Sequence, residues 1–332
     1  MELITGSKVF EAITAAEWDA LAIQGMTDTP FQRYAYQKAW WTHLGPGELY
    51  TIIVKNDDTG ELIGIAPFYV QDGVVQFNGS KEETDYLDII ATEQNAEVVW
   101  TAVFDCFCSS DFPTWQSIDL HCIPSASPSL EIVPRLVASR GFILSKNGIC
   151  EVCPVIPLEG SFEDYLMSID KKQRHEIRRK MRRADGGGAT LEIIGPEDDL
   201  HTAVDEFLEL LQKSTPEKEE WLNEGRTAVF HELAEAALQN DMLQLMFIRV
   251  NGERCAALFN FVYNGRTWVY NSGLDMSKHS HLSLGVVLTS YAIDYAAEHG
   301  FQIFDFLRGD ETYKYRFGAQ DTEIYQLTIQ KE

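Results

Sequence analysis

Positive charge is scarce in this chain. Of its 332 residues, 27 are Lys or Arg and 51 are Asp or Glu, a formal net charge of −24. That balance argues against general attraction to DNA, RNA or an anionic membrane surface, and no DNA partner is expected. Long apolar runs are missing as well. The longest, such as "GVVLTSYAI", suit a core helix and fall short of a membrane span, so no membrane insertion is expected. The opening "MELITGSKVFEAITAAEWDAL" has neither a basic n-region nor an apolar h-region. No secretory leader is expected, and the cytoplasm is the expected compartment. Cysteine is sparse: Cys106, Cys108, Cys122, Cys150, Cys153 and Cys255. Cys150 and Cys153 form a C-x-x-C, but no second pair or suitably spaced His pair accompanies it, so no metal is expected. "GICEVCPVI" reads instead as a strand ending at Pro154.

Apolar content is ample at 45%, with 11% aromatic residues. This excludes a disordered chain, and the length suits two domains. The two halves repeat one order. "LYTIIVKN", "ELIGIAPFYVQ" and "VVQFNGS" are strand-like runs separated by "DDTG" and "DG" turns. An acidic loop, a helix over 93–108 and the strand "WQSIDLHCI" follow. In the second half, "LQLMFIRV", "ERCAALFNFVY" and "RTWVYNSG" are separated by two "NG" turns. The loop "LDMSKHSHLSLG", a helix from about Val286 to Glu298 stopped by Gly300, and the strand "FQIFDFL" complete it. Turns of this type between apolar runs predict hairpins. The expected fold is a duplicated α/β domain: residues 1–155, then residues 156–332 with extra helices at 161–184 and 198–213.

The loops before the two long helices differ in charge. "GSKEETDYLD" carries Glu82, Glu83, Asp85 and Asp88, whereas "KHSHLSLG" has a lysine, small residues and a glycine. A helix entrance offers unpaired N–H groups and a positive dipole end, a natural seat for phosphate. The second half is therefore the expected anion-binding half, and the first faces a cationic or hydroxyl-rich acceptor.

The chain resembles the GNAT-fold acyltransferases of the BioF2-like/CelD type, relatives of the FemABX peptidoglycan transferases. The pieces that carry this are "YQKAWW", "LIGIAPFYV", "DYLDII", "IDKKQRHEIRRKMRR", "STPEK", "YNSGLD", "HLSLGVVL" and "FDFLRGDETYKYRFG". The resemblance implies an α/β fold of tandem GNAT-like lobes with mixed, mainly antiparallel sheets and a cleft between them. It implies acyl transfer from acetyl-CoA or another acyl-CoA to a small-molecule, saccharide or peptide amine, in envelope or exopolysaccharide biosynthesis. In the FemABX branch the donor is an aminoacyl-tRNA. A non-catalytic scaffold that binds RNA or a partner is the reading from a different class. One departure is visible: the usual Ser-Pro-Gly of the loop is Ser283-Leu284-Gly285 here, which restores an N–H that proline lacks.

Residue roles follow from that reading. Tyr270, Asn271 and Ser272, with His281, Leu282, Ser283, Leu284, Gly285 and Val286, are expected to hold the cofactor. Asp305, in an apolar strand, reads either as general base and acceptor anchor or as one side of a structural ion pair. Tyr313 reads as the acid for the leaving thiolate or as a core aromatic. Lys314 fits a Lys-x-x-Phe-Gly pattern that in FemABX relatives lies at the reacting centre. Asp85, Tyr86 and Asp88 are expected at the acceptor, or else serve loop solubility.

Eight Lys or Arg lie between Lys171 and Arg183, with Glu176 as the one acid among them. A helix macrodipole accounts for some bases near a C-terminus, but not eight. Lys171, Arg174, Arg178 and Arg182 are expected to meet a ligand phosphate, either the 3′-phosphate of coenzyme A or the phosphates of a linked acceptor or tRNA.

Overall fold

The computed structural model describes residues 1–331 and divides into two compact units. The first comprises Met1–Val152 with the residues from Thr322 onward, the second Cys153–Asp321. The second unit therefore ends earlier than the expected residue 332.

The first unit holds β1 (Glu2–Thr5), α1 (Val9–Ala12), α2 (Ala15–Ala22), α3 (Tyr34–Leu44), β2 (Glu48–Lys55), β3 (Leu62–Gln71) and β4 (Val74–Phe77). After these come α4 (Ser80–Glu83), β5 (Ile90–Ala91), α5 (Ala96–Cys108), β6 (Ser117–Pro124), α6 (Ser129–Ser139) and the start of β7 (Ile143–Pro157). β1 to β4 are antiparallel neighbours in chain order. β4 then pairs in parallel with β6, from Val74↔Ser117 to Gln76↔Asp119. The core lies under α5, whose Val99, Trp100, Val103, Phe104 and Phe107 are all buried.

The second unit holds the end of β7, α7 (Phe162–Ser168), α8 (Lys171–Gly186), β8 (Ala189–Ile193), α9 (Leu200–Gln212), α10 (Pro216–Trp221) and α11 (Glu224–Gln239). It continues with β9 (Leu243–Val250), β10 (Glu253–Tyr263), β11 (Arg266–Leu274), α12 (Leu284–Glu298), β12 (Ile303–Asp305) and α13 (Thr312–Arg316). β8 to β11 are antiparallel neighbours in chain order. β11 pairs in parallel with β12, and β12 antiparallel with the end of β7. Both units thus contain a three-strand meander, a helix, and a strand parallel to the last of the three, as the repeated sequence order predicts. The last strand, β13 (Gln320–Gln330), pairs antiparallel with β6 from Ile324↔Pro124 to Gln330↔Ser117. That ladder is why the end of the chain belongs with the first unit.

Local chemistry explains the hairpins. Asp72-Gly73, Asn251-Gly252 and Asn264-Gly265 all have positive φ at both residues. This is the two-residue turn whose twist matches the flanking strands, and Asn, Asp and Gly tolerate it best. The basic segment is two helices rather than one. A capping box, Ser161 with Asp164, starts α7, and the Asp170 carboxylate accepts from the amides of Lys172 and Gln173 to start α8. α12 starts two residues earlier than the spacing predicts, ends at Glu298 as expected, and buries Leu284, Val287, Leu288, Ala292, Ile293 and Ala296. β7 continues through Pro154 to Pro157, beyond the expected strand end.

The expected acceptor carboxylate Asp88 is buried and committed to the first unit's interior. Its oxygens accept from the hydroxyls of Thr27 (3.1 Å), Ser127 and Ser129 (2.7 Å), and from the Ile89 amide (2.8 Å). Tyr86 is also buried, its ring 6.4 Å from Phe31. Neither side chain is available to an acceptor, because both complete the core around residues 27–31. Glu83 of the acidic loop turns inward too, accepting from the Trp40 indole at 3.2 Å.

Burial pushes the Asp88 carboxyl up to about 6, against the four hydrogen bonds that favour its ionised form. The folded chain therefore takes up this proton as pH falls through about 6, where the unfolded chain does not until about 3.9. Asp88 costs stability above pH 6, and the cost fades as pH falls from 6 to 4. Urea denaturation at pH 7 and pH 4.5 should show the protein gaining stability relative to Asp88→Asn, by up to about 1.4 kcal/mol per pH unit for one proton. A pH-independent difference would remove the raised carboxyl from the account.

Candidate active site

The second unit's sheet opens at a fork. β11 and β12 pair only at Arg266↔Ile303, Thr267↔Phe304 and Trp268↔Asp305. β12 ends there, while β11 continues to Leu274. A register shift between Phe259↔Asn271 and Asn260↔Val269 makes Tyr270 a bulge residue just past the fork. Bulges bend and twist a strand, and this one lies two residues beyond the last β11–β12 pair.

A cavity of about 350 Å³ lies in this region. Leu258 of β10, Val269, Ser272 and Leu274 of β11, the 275–283 loop, the start of α12, Phe306 and Tyr313 line it. Gly273 sets one wall. A Cβ there would meet Leu210 and Leu211 of α9 at 2.7 Å, so glycine lets α9 pack directly on β11.

The entrance to α12 is bare. Ser283 precedes it in the left-handed conformation (φ 57°), its side chain makes no cap, and the first turn holds no acid. The amides of Leu284, Gly285 and Val286 have no hydrogen-bond partner among the described residues. Gly285 is not demanded by the chain itself: its φ is ordinary, and a Cβ would meet only Leu274 Cδ2 at 3.6 Å. Glycine in this first turn is thus not required by the fold, and its bare backbone suits close approach by a ligand. Of the expected loop residues, Ser283, Leu284, Gly285 and Val286 line the cavity. His281 is exposed and Leu282 is buried against Gly187, and neither lines it.

The expected β11 residues also divide. Ser272 lines the cavity. Tyr270 does not: its ring packs among Phe230, Phe259 and Phe261 at 5.3–6.1 Å, leaving only its backbone near the fork. Asn271 is half-buried and outside the lining.

The strand end after β12 is a clamped turn. Leu307 takes φ 57°, a conformation that costs a leucine roughly 1–2 kcal/mol. Its amide donates to Asp305 Oδ1 at 2.7 Å. Lys314 Nζ donates to the carbonyls of Leu307 (3.1 Å), Arg308 (2.7 Å) and Gly309 (3.0 Å), and pairs with Glu311 Oε2 at 2.9 Å. Asp305 and Lys314 are thus fully buried residues that hold a strained turn, and neither lines the cavity. Tyr313 does line it, with its ring edge-on to Phe306 at 5.9 Å. Desolvation, and then the Glu311 charge, hold its phenol above the ordinary value. At neutral pH it is a proton donor.

Lys218, within "STPEK", has no periodic or motif signal and is not itself among the cavity-lining residues, but it contacts one that is. α10 delivers its ammonium to Ser272, 2.7 Å from the carbonyl oxygen and 3.4 Å from Oγ. Desolvation lowers its pKa to about 8, partly opposed by the Glu311 charge. No periodic pattern marks such a residue, because its partner is 54 positions away.

The basic helix is largely spoken for. Arg174 donates to the carbonyls of Leu166 and Met167, capping α7, and Arg178 pairs with Glu163. Arg179 and Lys180 both pair with Glu176. These two expected phosphate ligands, Arg174 and Arg178, instead fasten α8 to α7. Lys171 and Arg182 are exposed. The base that reaches the α12 entrance is Arg183, whose guanidinium donates to the His281 carbonyl at 3.0 Å.

No helix among the described residues is long and apolar enough to cross a membrane. No cysteine is in a disulfide, and Cys150 donates to the Ile324 carbonyl.

Residues 171–315 match the model of the acetyltransferase (GNAT) domain. No curated protein matches the sequence. Among solved structures, FemX is similar with a TM-score of 0.68 at 12% identity, over 98% of this chain and 97% of that one. L-PGS from Bacillus licheniformis has a TM-score of 0.60 at 11% identity, over 95% of this chain and 91% of that one. The C-terminal domain of a putative lysylphosphatidylglycerol synthetase from Agrobacterium fabrum has a TM-score of 0.59 at 10% identity, over 95% and 92%. The chain therefore has the GNAT-type fold shared with FemX and L-PGS, and its residues 171–315 match the acetyltransferase (GNAT) domain model.

Proposed function

We propose that the protein is an N-acyltransferase that moves an acyl group from acyl-CoA to an amine. The observation that carries this is the cavity that runs from the β11–β12 fork to the unpaired amides of Leu284, Gly285 and Val286. Those amides and the helix dipole would hold the diphosphate. Lys278, which lines the cavity and pairs with Glu253, and Arg183, which donates to the His281 carbonyl, supply positive charge at this entrance, and the edge of β11 beyond the fork would carry the pantetheine arm. Likeness to lysylphosphatidylglycerol synthetase domains supports an amine-bearing or lipid-linked acceptor of the envelope.

Lys218 is the proton acceptor in this reading. A neutral lysine has two N–H bonds and one lone pair. Two hydrogen bonds to Ser272 use the N–H groups and leave the lone pair for the acceptor ammonium. The freed amine attacks the thioester carbonyl and the C–S bond breaks. The thiolate takes the Tyr313 proton, and the second proton of the attacking nitrogen returns to the Tyr313 phenolate as the amide forms. With a pKa near 8, Lys218 is partly neutral at physiological pH, so kcat/KM should rise through about pH 8. Lys218→Met should lower kcat by at least about 100-fold and abolish that limb, with acetyl-CoA affinity unchanged. An unaltered pH profile removes Lys218 from the chemistry.

Calorimetric titration with acetyl-CoA, a longer acyl-CoA and aminoacyl-tRNA tests the donor. Binding of CoA species is the expected result. Binding of tRNA alone would favour the aminoacyl-tRNA reading, using the exposed Lys171, Lys172 and Arg182 for phosphates. Binding of neither would leave a non-catalytic scaffold.

A further inference from the structure

We propose that His201, Asp205 and His231 form a surface site for a divalent transition-metal ion of the zinc type, apart from the cavity. His201 and Asp205 lie one turn apart on α9, and His231 comes from α11. His201 Nδ1 is 3.2 Å from Asp205 Oδ2, and His231 Nε2 is 3.0 Å from Asp205 Oδ1. The two imidazoles stack with centroids 4.3 Å apart, and all three ligand atoms lie within 4.8 Å of one another. Tetrahedral zinc with bonds of about 2.0–2.1 Å needs ligand atoms about 3.4 Å apart. The three ligand atoms, within 4.8 Å of one another, reach that spacing once the stacked imidazole rings rotate to turn their lone pairs toward a common point.

The donor set also selects the ion. Two imidazoles and one carboxylate suit Zn²⁺, Co²⁺, Ni²⁺ or Cu²⁺, whereas Mg²⁺ and Ca²⁺ prefer all-oxygen shells. His201 is 76% and Asp205 52% exposed by side chain, so ions have direct access and water can complete the shell. The acidic surroundings of a chain with net charge −24 favour cations. None of the three residues lines the cavity. The ion would brace α9 to α11, and α9 is the helix that packs on β11 at Gly273. Its effect would thus be on stability rather than on proton transfer. The sequence hides the site, because only the packing of α9 on α11 brings His231 to the pair on α9.

The test uses the full chain, stripped with EDTA and dialysed. Titration with ZnCl₂ should show one saturable site and a raised Tm, and MgCl₂ should do neither. Co²⁺ should give the visible absorption of a low-coordinate N/O site. His231→Ala and the exposed His201→Ala should each weaken Zn²⁺ binding by at least the about 10-fold that loss of even an outer-shell partner costs. Both variants should keep the metal-free Tm and acetyl-CoA binding of the parent. Because thiols also take zinc, Cys150→Ser should leave the titration unchanged. Absence of saturable binding overturns the proposal. So does binding that survives both histidine substitutions or is lost with Cys150.

Discussion

Gly285→Asp should abolish acetyl-CoA binding while leaving the protein at least as stable as the parent. The position is the second residue of α12, where the amides of Leu284, Gly285 and Val286 are unpaired. A Cβ fits there, since its one neighbour would be Leu274 Cδ2 at 3.6 Å. A carboxylate in a helix's first turn is favourable by about 0.3–1 kcal/mol, and replacing a helical glycine adds to this. The same carboxylate stands where the diphosphate would sit. Two unit charges 4 Å apart repel by about 4 kcal/mol at an effective dielectric near 20, so affinity should fall by at least about 100-fold. Calorimetry gives the affinity and thermal unfolding the stability. Parent-like affinity in a folded Gly285→Asp protein would show that the diphosphate does not use this helix entrance.

Lys314→Met should cost at least about 3 kcal/mol of folding stability, measured by urea denaturation. Its ammonium bonds three successive carbonyls, Leu307, Arg308 and Gly309, and the Glu311 carboxylate. Hydrogen bonds to a charged group contribute about 1.5–3 kcal/mol each, and methionine keeps the stem while removing all of them. The left-handed Leu307 would then be held by Asp305 alone. Acetyl-CoA affinity should fall too, because Phe306 and Tyr313 flank the released turn and line the cavity. The opposite pattern, slower turnover at unchanged stability and affinity, would return Lys314 to the reacting centre and overturn the structural role argued from its four partners.

The repeated meanders were legible because hairpin turns are local. Asp-Gly and Asn-Gly between alternating apolar runs announce a turn whose φ values few other pairs adopt cheaply. The bare entrance to α12 was legible for a similar reason: a helix start without acids and with a glycine is a short-range pattern. Charge at single residues was not. Asp88 and Asp85 look alike in sequence, yet Asp88 is buried beneath Ser127 and Ser129, which lie far along the chain. Arg178 reads as a phosphate ligand until Glu163 of α7 takes it. Lys218 gave no signal, because its value depends on Ser272.

Local patterning alone determined that this chain builds two similar α/β units, with an acid-free helix entrance in the second. Backbone geometry and apolar periodicity act over a few residues, so the linear order carries them. Tertiary packing decided which charged groups hold the fold and which stand beside the cavity. It buried Asp88, Asp305 and Lys314, assigned Arg174 and Arg178 to α7, and brought Lys218 to Ser272 and His231 to His201 and Asp205. The role of a charge depends on its partners and on its distance from water, and both are set by residues that meet only when the chain is folded.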